Sequence, residues 1–223
     1  MEDSVKLIEN FVSWQGEGPD SGRPMIILRF KTCNLKCPWC DTAVKMRITS
    51  ESTHFLTDIQ RTIYEKSAGL LITGGEPTVE KHFDETVLLL NNLEYPIANV
   101  ESNGYKLFEL ISKADKTKKI NYMYSPKIFS PRDLESSLEV VWQISKIPNV
   151  FIKIVWQDNG FTECFIKEIC EKYDSLKWQQ RIWLMPEGVT RKDLIKNAPD
   201  VFDVCEKYNL SFSSRNHMIF GFI

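Results

Sequence analysis

No stretch of this chain stays apolar long enough to cross a bilayer, which argues against a helical membrane span. The opening residues, MEDSVKLIENF, have no basic start, no apolar core and no small-residue cleavage site. They do not read as a secretory signal, and a cytoplasmic, reducing location is expected. Neither charge is in excess, with 28 Lys and Arg against 30 Asp and Glu. Nothing therefore drives the chain onto nucleic acid or anionic lipid, and neither is expected as a partner. There is no low-complexity linker and no sharply defined repeat. The 223 residues, 43 % of them apolar, read as one domain, 1–223, long enough to bury a core. Cysteine is sparse, six in all, and in a reducing location such residues read as metal ligands or small buried side chains rather than disulfides.

Three of those six lie within eight residues, Cys33-Asn34-Leu35-Lys36-Cys37-Pro38-Trp39-Cys40. In zinc sites four ligands normally arrive as two pairs; here the spacing is C-x3-C-x2-C and no second pair follows. Three thiolates can hold three corners of a cuboidal iron–sulfur cluster and leave the fourth iron open to a non-protein ligand. Cys33, Cys37 and Cys40 are thus candidate metal ligands. Cys164, Cys170 and Cys205 are expected to be packing residues, since Cys164 and Cys170, six apart on a helix, face different sides.

Around this motif, strands alternate with helices. Strands are predicted over Leu7 to Val12, Met25 to Phe30, Leu70 to Thr73, Ile97 to Glu101, Ile120 to Tyr124, Val150 to Trp156 and Arg181 to Leu184, several of them continuously apolar as strands covered on both faces are. Helical spacing marks Thr57 to Lys66, the sets Phe83/Val87/Leu90 and Leu107/Leu110/Ile111/Ala114, and Phe165/Ile169/Tyr173. Pro131 suits the first turn of a helix carrying Leu134, Leu138 and Val141. Pro199 is expected to start the last helix, with Val201, Cys205 and Tyr208 on one side, before a strand-like tail around Ser211 to Phe222.

About six strand–loop–helix units imply a parallel sheet with right-handed crossovers, too few for a closed eight-fold barrel. The expected fold class is α/β, a partial, open, roughly six-stranded β/α barrel. The unusual loops, TCNLKCPWCDT, TGGEPT, ESNG, SPK and MPEG, all follow strands, and in such folds that is the rim where ligands bind.

The cysteine motif after one strand and Gly74-Gly75-Glu76-Pro77 after the next resemble the radical S-adenosylmethionine (radical SAM) superfamily. Within it, Trp14-Gln15-Gly16-Glu17-Gly18, Arg29, Cys40-Asp41-Thr42, Glu101-Ser102-Asn103-Gly104, Ser125-Pro126-Lys127 and His217 resemble the 7-carboxy-7-deazaguanine synthase family over nearly the whole chain. The resemblance implies a partial barrel of the radical SAM type whose Cys33, Cys37 and Cys40 ligate a [4Fe–4S] cluster, with S-adenosylmethionine as cofactor. Its reductive cleavage would yield a radical that acts on 6-carboxy-5,6,7,8-tetrahydropterin, giving 7-carboxy-7-deazaguanine and ammonia.

By the same match, Trp39, Cys40, Asp41, Gly75, Glu76, Gly104, Ser125, Pro126, Lys127 and the loop Met185, Pro186, Glu187, Gly188 would meet the cofactor. Trp14, Gln15, Gly16, Arg29, Ser102 and Ile223 would meet the substrate, and Thr42 would ligate Mg2+, a hard cation that suits a hard oxygen. The family implies a reducing partner such as flavodoxin and a homodimer. It usually has Leu where Trp14 stands, Thr where Ser102 stands and Gln where Met185 stands. Each reading keeps a bland alternative: the three cysteines could be a partial zinc site or core residues, Gly74-Gly75 an ordinary turn and Ser125-Pro126 an ordinary strand stop, Arg29 could pair with Glu17 instead of a substrate carboxylate, and His217 could be a satisfied core histidine.

Overall fold

The computed structural model describes residues 3–172 and 178–222. Tyr173, expected on a helix, and Ile223 lie outside the described residues. Among the described residues the main sheet has eight strands and stays open. In chain order the strands are β1 (Ser4–Leu7), β2 (Glu9–Trp14), β3 (Pro24–Phe30), β4 (Ser52–Phe55), β5 (Gly69–Gly74), β6 (Ala98–Ser102), β7 (Ile120–Tyr124), β8 (Val150–Val155), β9 (Ile182–Met185) and β10 (Ser211–Phe212). The sheet runs β10-β9-β8-β7-β6-β5-β3-β2, with every pair parallel except β2 against β3. Helices α2 (Leu56–Lys66), α3 (Glu80–Asn92), α4 (Leu107–Lys113), α5 (Pro131–Ile144), α6 (Phe161–Lys172) and α7 (Arg191–Tyr208) alternate with these strands, and a short α1 (Ala43–Ile48) precedes them.

The period of two in each strand sorts its side chains between two environments. Ile26, Leu28 and Phe30 of β3, with Leu70 and Ile72 of β5, join the large core that includes Ile59, Leu89, Leu110, Val141 and Phe165 from the helices. The opposite set, Met25 and Ile27 with Leu71, forms a smaller cluster with Ile97, against which Phe11 packs. Both faces of β3 are thus covered, which is why MIIL reads as a continuous apolar run.

Four features differ from the sequence expectation. The predicted strand Leu7 to Val12 is broken at Ile8: β1 pairs antiparallel with β4 in a separate two-stranded ribbon, while β2 joins the main sheet. Pro199 lies inside α7, not at its start. That helix begins eight residues earlier, at Arg191, behind its cap Thr190, whose hydroxyl accepts the Asp193 N–H at 3.2 Å and donates to the Asp193 carboxylate at 2.6 Å, a reciprocal cap visible as Thr-x-x-Asp. The tail is not a strand beyond β10. Arg215, at φ 56, turns the chain off the sheet edge into the short helix α8 (Asn216–Phe220), where Phe220 is 71 % exposed instead of covered. Cys164 is exposed and packs nothing away from water, whereas Cys205 is buried.

Candidate active site

Above the small inner cluster, the C-terminal halves of the strands open into a cavity of about 580 Å³, within the range of small-molecule sites. Alternation aims one strand residue after another into it: Ile27 and Arg29 from β3, Leu71 and Thr73 from β5, Glu101 from β6, Lys153 and Val155 from β8. The loops that follow those strands form its rim, and the first loop and the tail close one side.

Cys33, Cys37 and Cys40 all line the cavity and are free thiols. Burial pushes the Cys33 and Cys37 thiols up, and the charges of the neighbouring thiols add to it; Lys127, close by, pulls the other way. Three thiolates crowded in a half-buried loop need a positive counterpart. The start of this loop is stitched to the GGE loop by main-chain bonds, Gly75 N–H to the Phe30 carbonyl at 2.9 Å and Glu76 N–H to that of Thr32 at 2.8 Å. His82 of α3, fully buried, stacks on Phe30 with ring centroids 4.6 Å apart and accepts the Thr32 N–H at 3.0 Å.

The Glu76 carboxylate is buried and already occupied. It accepts the N–H groups of Thr78 (3.0 Å) and Asn103 (2.6 Å) and the hydroxyls of Thr78 (2.6 Å) and Ser102 (2.8 Å). Desolvation pushes its pKa up while those donors pull it down. Glu76 therefore joins the loops after β5 and β6.

The other side of the cavity carries paired charges. The Lys153 ammonium, 7 % exposed, lies between the carboxylates of Glu17 and Glu101. Burial works against all three charges. The two carboxylates nevertheless hold Lys153 above the usual lysine range, Lys153 and Arg215 hold Glu17 well below the carboxylate range, and Glu101 stays raised by its own desolvation. Arg29 donates from Nε to Glu9 at 2.5 Å, not to Glu17, and Lys45 reaches the same carboxylate at 2.6 Å. Among the described residues the two terminal nitrogens of Arg29 have no hydrogen-bond partner.

Residues 27–156, more than half of the chain, match the family model of the radical SAM superfamily. The chain belongs to that superfamily. Along nearly its whole length this radical SAM protein is similar to the 7-carboxy-7-deazaguanine synthase of Hyperthermus butylicus, 26 % identical over 96 % of this chain and 92 % of the relative. Over 48 % of this chain and 44 % of the relative it is 34 % identical to the 7-carboxy-7-deazaguanine synthase of Haemophilus influenzae. Among solved structures its fold is similar to that of QueE from Escherichia coli, with a TM-score of 0.61 at 19 % identity over 94 % of this chain and 92 % of that one.

The residues present fit the cofactors of a radical SAM protein. Among the described residues no three His, Cys, Asp or Glu groups converge closely enough to hold a single metal ion; a cuboidal cluster, with irons and sulfides between its ligands, spaces three thiolates more widely. The Trp39 indole N–H is buried without a partner, in a ring that lines the cavity and packs 4.7 Å from Phe129. A buried orphan donor at a cavity wall is suited to a ligand acceptor.

Of the residues singled out from sequence, Trp14, Gln15, Gly16, Arg29, Cys33, Cys37, Trp39, Cys40, Asp41, Thr42, Gly75, Glu76, Ser102, Ser125, Lys127, Met185, Pro186, Glu187 and Gly188 line this one cavity, as does His217. Gly104 and Pro126 do not. Gly104 has φ +100, and a Cβ there would stand 2.5 Å from the Tyr124 ring, so its glycine answers a local need. Several side chains are already engaged: Gln15 with Asn99 at 3.1 Å, Ser102 with Glu76, and the Lys127 ammonium with the Ser125 carbonyl at 2.8 Å. The Thr42 hydroxyl sits 3.4 Å from the Cys40 sulfur. Two buried charged residues of the cavity escaped the sequence reading, Lys153 and Arg215. Lys153 had a signal, a lone lysine in the apolar strand VFIKIV; Arg215 had none.

Proposed function

We propose that this protein is a 7-carboxy-7-deazaguanine synthase, a radical SAM lyase that converts 6-carboxy-5,6,7,8-tetrahydropterin to 7-carboxy-7-deazaguanine with loss of ammonia, in 7-deazapurine (queuosine-type) biosynthesis. The observation that carries it is Arg29, whose guanidinium, bonded through Nε to Glu9 and with no partner for its terminal nitrogens among the described residues, shares the cavity with the three-thiol loop. A planar guanidinium fork matches a substrate carboxylate with two parallel hydrogen bonds. The full-length similarity to the Hyperthermus butylicus synthase supports the same reading.

The bound cluster and S-adenosylmethionine supply the radical chemistry. Cys33, Cys37 and Cys40 hold the cluster, with Trp39 and Asp41 beside it. Glycines at the rim let main chain approach the ligands closely: a Cβ on Gly16 would stand 2.0 Å from the His217 ring nitrogen, so the wall made by the first loop and α8 closes only with glycine there. Thr42 presents a hard oxygen for Mg2+ next to the cluster loop. Apolar Ile27, Leu71 and Val155 keep the lower walls dry, which protects a reactive intermediate from water. A reducing partner such as flavodoxin, a homodimer and a cytoplasmic location complete this reading.

Anaerobic reconstitution with iron and sulfide, followed by assay with S-adenosylmethionine and the tetrahydropterin, tests it. The expected result is pterin-dependent release of 7-carboxy-7-deazaguanine and ammonia. Cleavage of S-adenosylmethionine with the pterin recovered intact would overturn it.

A further inference from the structure

We propose that Arg215 is a positioning residue that ties the cysteine-loop end of the cavity to its substrate-side wall. Three separate loops end on its guanidinium. Its Nε donates to Glu17 Oε1 at 2.9 Å in the first loop, its Nη1 to the Gly188 carbonyl at 2.7 Å in the MPEG loop, and its Nη2 to Asp41, the residue after Cys40. The side chain is 9 % exposed, and both acids are cavity-lining residues. These partners lie 198, 27 and 174 residues away in the chain. No other described side chain bonds to all three loops.

The backbone supplies a second, independent observation. Arg215 has φ 56 and ψ 58, a left-handed conformation that a residue with a long side chain rarely adopts. Such a conformation persists where surrounding contacts over-determine it, and these residues cluster at functional sites. Here the turn does two things at once. It aims the guanidinium inward, and it brings the next residue onto the first loop, where Asn216 N–H donates to the Gly16 carbonyl at 2.8 Å and its side chain to Ser21 Oγ at 2.9 Å. His217, one residue further, then packs against Gly16.

The chemistry of the residue suits three partners. A guanidinium has five N–H donors in a fixed plane and is always charged. A lysine ammonium could stay near the Glu17 carboxylate but could not reach in three fixed directions. Shared support also means that the loop bearing Cys40 and the wall holding Gln15, Gly16 and His217 are held at one distance from each other. In the reading of the site as a pterin-converting centre, on which this part of the inference rests, that distance sets how the substrate meets the cofactor.

The test compares Arg215→Lys with Arg215→Gly. Glycine adopts the left-handed turn without strain and leaves Glu17 paired with Lys153, so this variant removes the three bonds while sparing the tail turn. The first measurement is amide hydrogen exchange on the chain without cofactors, followed in peptides covering residues 13–22, 38–44 and 185–190. In Arg215→Gly all three segments should exchange faster together, by about tenfold; in Arg215→Lys segment 13–22 should recover while the other two stay fast. Loosening confined to the tail, with segments 38–44 and 185–190 unchanged in both variants, would overturn the assignment. This arm needs no turnover, so it stands apart from the proposed activity. In the reconstituted protein, both variants should keep their iron and raise the pterin KM by about tenfold, with a smaller change in kcat, because a small misplacement across a site is enough. Wild-type KM in Arg215→Gly would remove the link to substrate.

Discussion

A Cβ on Gly75 would stand 2.3 Å from the carbonyl oxygen of Thr32 and 2.9 Å from the Cys33 nitrogen. The GGE loop and the cysteine loop therefore meet backbone to backbone, a contact that only glycine allows. Gly75→Ala should push the Cys33 end of the loop outward. The expected outcome is a loss of about 1–3 kcal/mol from overpacking and iron retention as poor as in Cys37→Ala after anaerobic reconstitution, while Cys164→Ala keeps its iron. Full iron content in Gly75→Ala would show that the loop can give way.

Lys153 is the sole cation in direct contact with Glu101 among the described residues, whereas Glu17 has Arg215 as well. Lys153→Met should destabilise the cofactor-free chain by about 3–5 kcal/mol, because it leaves a buried carboxylate unpaired. Adding Glu101→Gln should recover a large part of that loss. Denaturant unfolding of the single and double variants checks it; a single variant as stable as wild type would mean that water reaches this part of the cavity freely.

Arg29→Ala should weaken pterin binding much more than S-adenosylmethionine binding. A charge-assisted partner of a buried carboxylate is worth roughly 2–5 kcal/mol when removed. Equilibrium binding of each ligand separates the two effects. Equal losses would make Arg29 a support for Glu9 and Lys45 instead of a substrate contact.

His217 should make stability depend on pH just below neutrality. Burial holds its pKa below the usual histidine value; Glu17 opposes that, and Arg215 and Lys153 add to it. The unfolded chain then takes up the proton at a higher pH than the folded one, so the contribution is complete above the ordinary value of about 6.5 and is lost as pH falls below it. Unfolding of the cofactor-free protein between about pH 5 and 6.5 should show stability rising with pH, with a flatter slope in His217→Gln. An identical slope in the two proteins would remove His217 from the balance.

Much of this molecule was legible in one dimension because its signals are local. Periods of two and 3.6 placed β3, β5, β7, β8 and the helices behind them, Pro131 marked the start of α5, and the spacing of Cys33, Cys37 and Cys40 singled out a loop that lines the cavity. Glycines at strand ends marked the rim. Where the sequence reading failed, a local rule met a non-local partner. The predicted strand Leu7 to Val12 was split between β1 and β2 because β4 pairs with Ser4 to Leu7 and no further, Leu7 facing Ser52. The apolar tail became α8 because Arg215 and Asn216 bond to the first loop and not to the sheet edge. Pro199 signalled a helix start, yet Thr190 and Asp193 had already capped that helix upstream. The charges of the cavity were the least legible. Nothing within a few residues of Lys153 or Arg215 announces Glu17, Glu101 or Asp41, which lie 52 to 198 positions away. Patterning sets which face a side chain takes, but the order of strands in the sheet decides which faces meet, and only that meeting turned scattered acids and bases into one buried, paired wall.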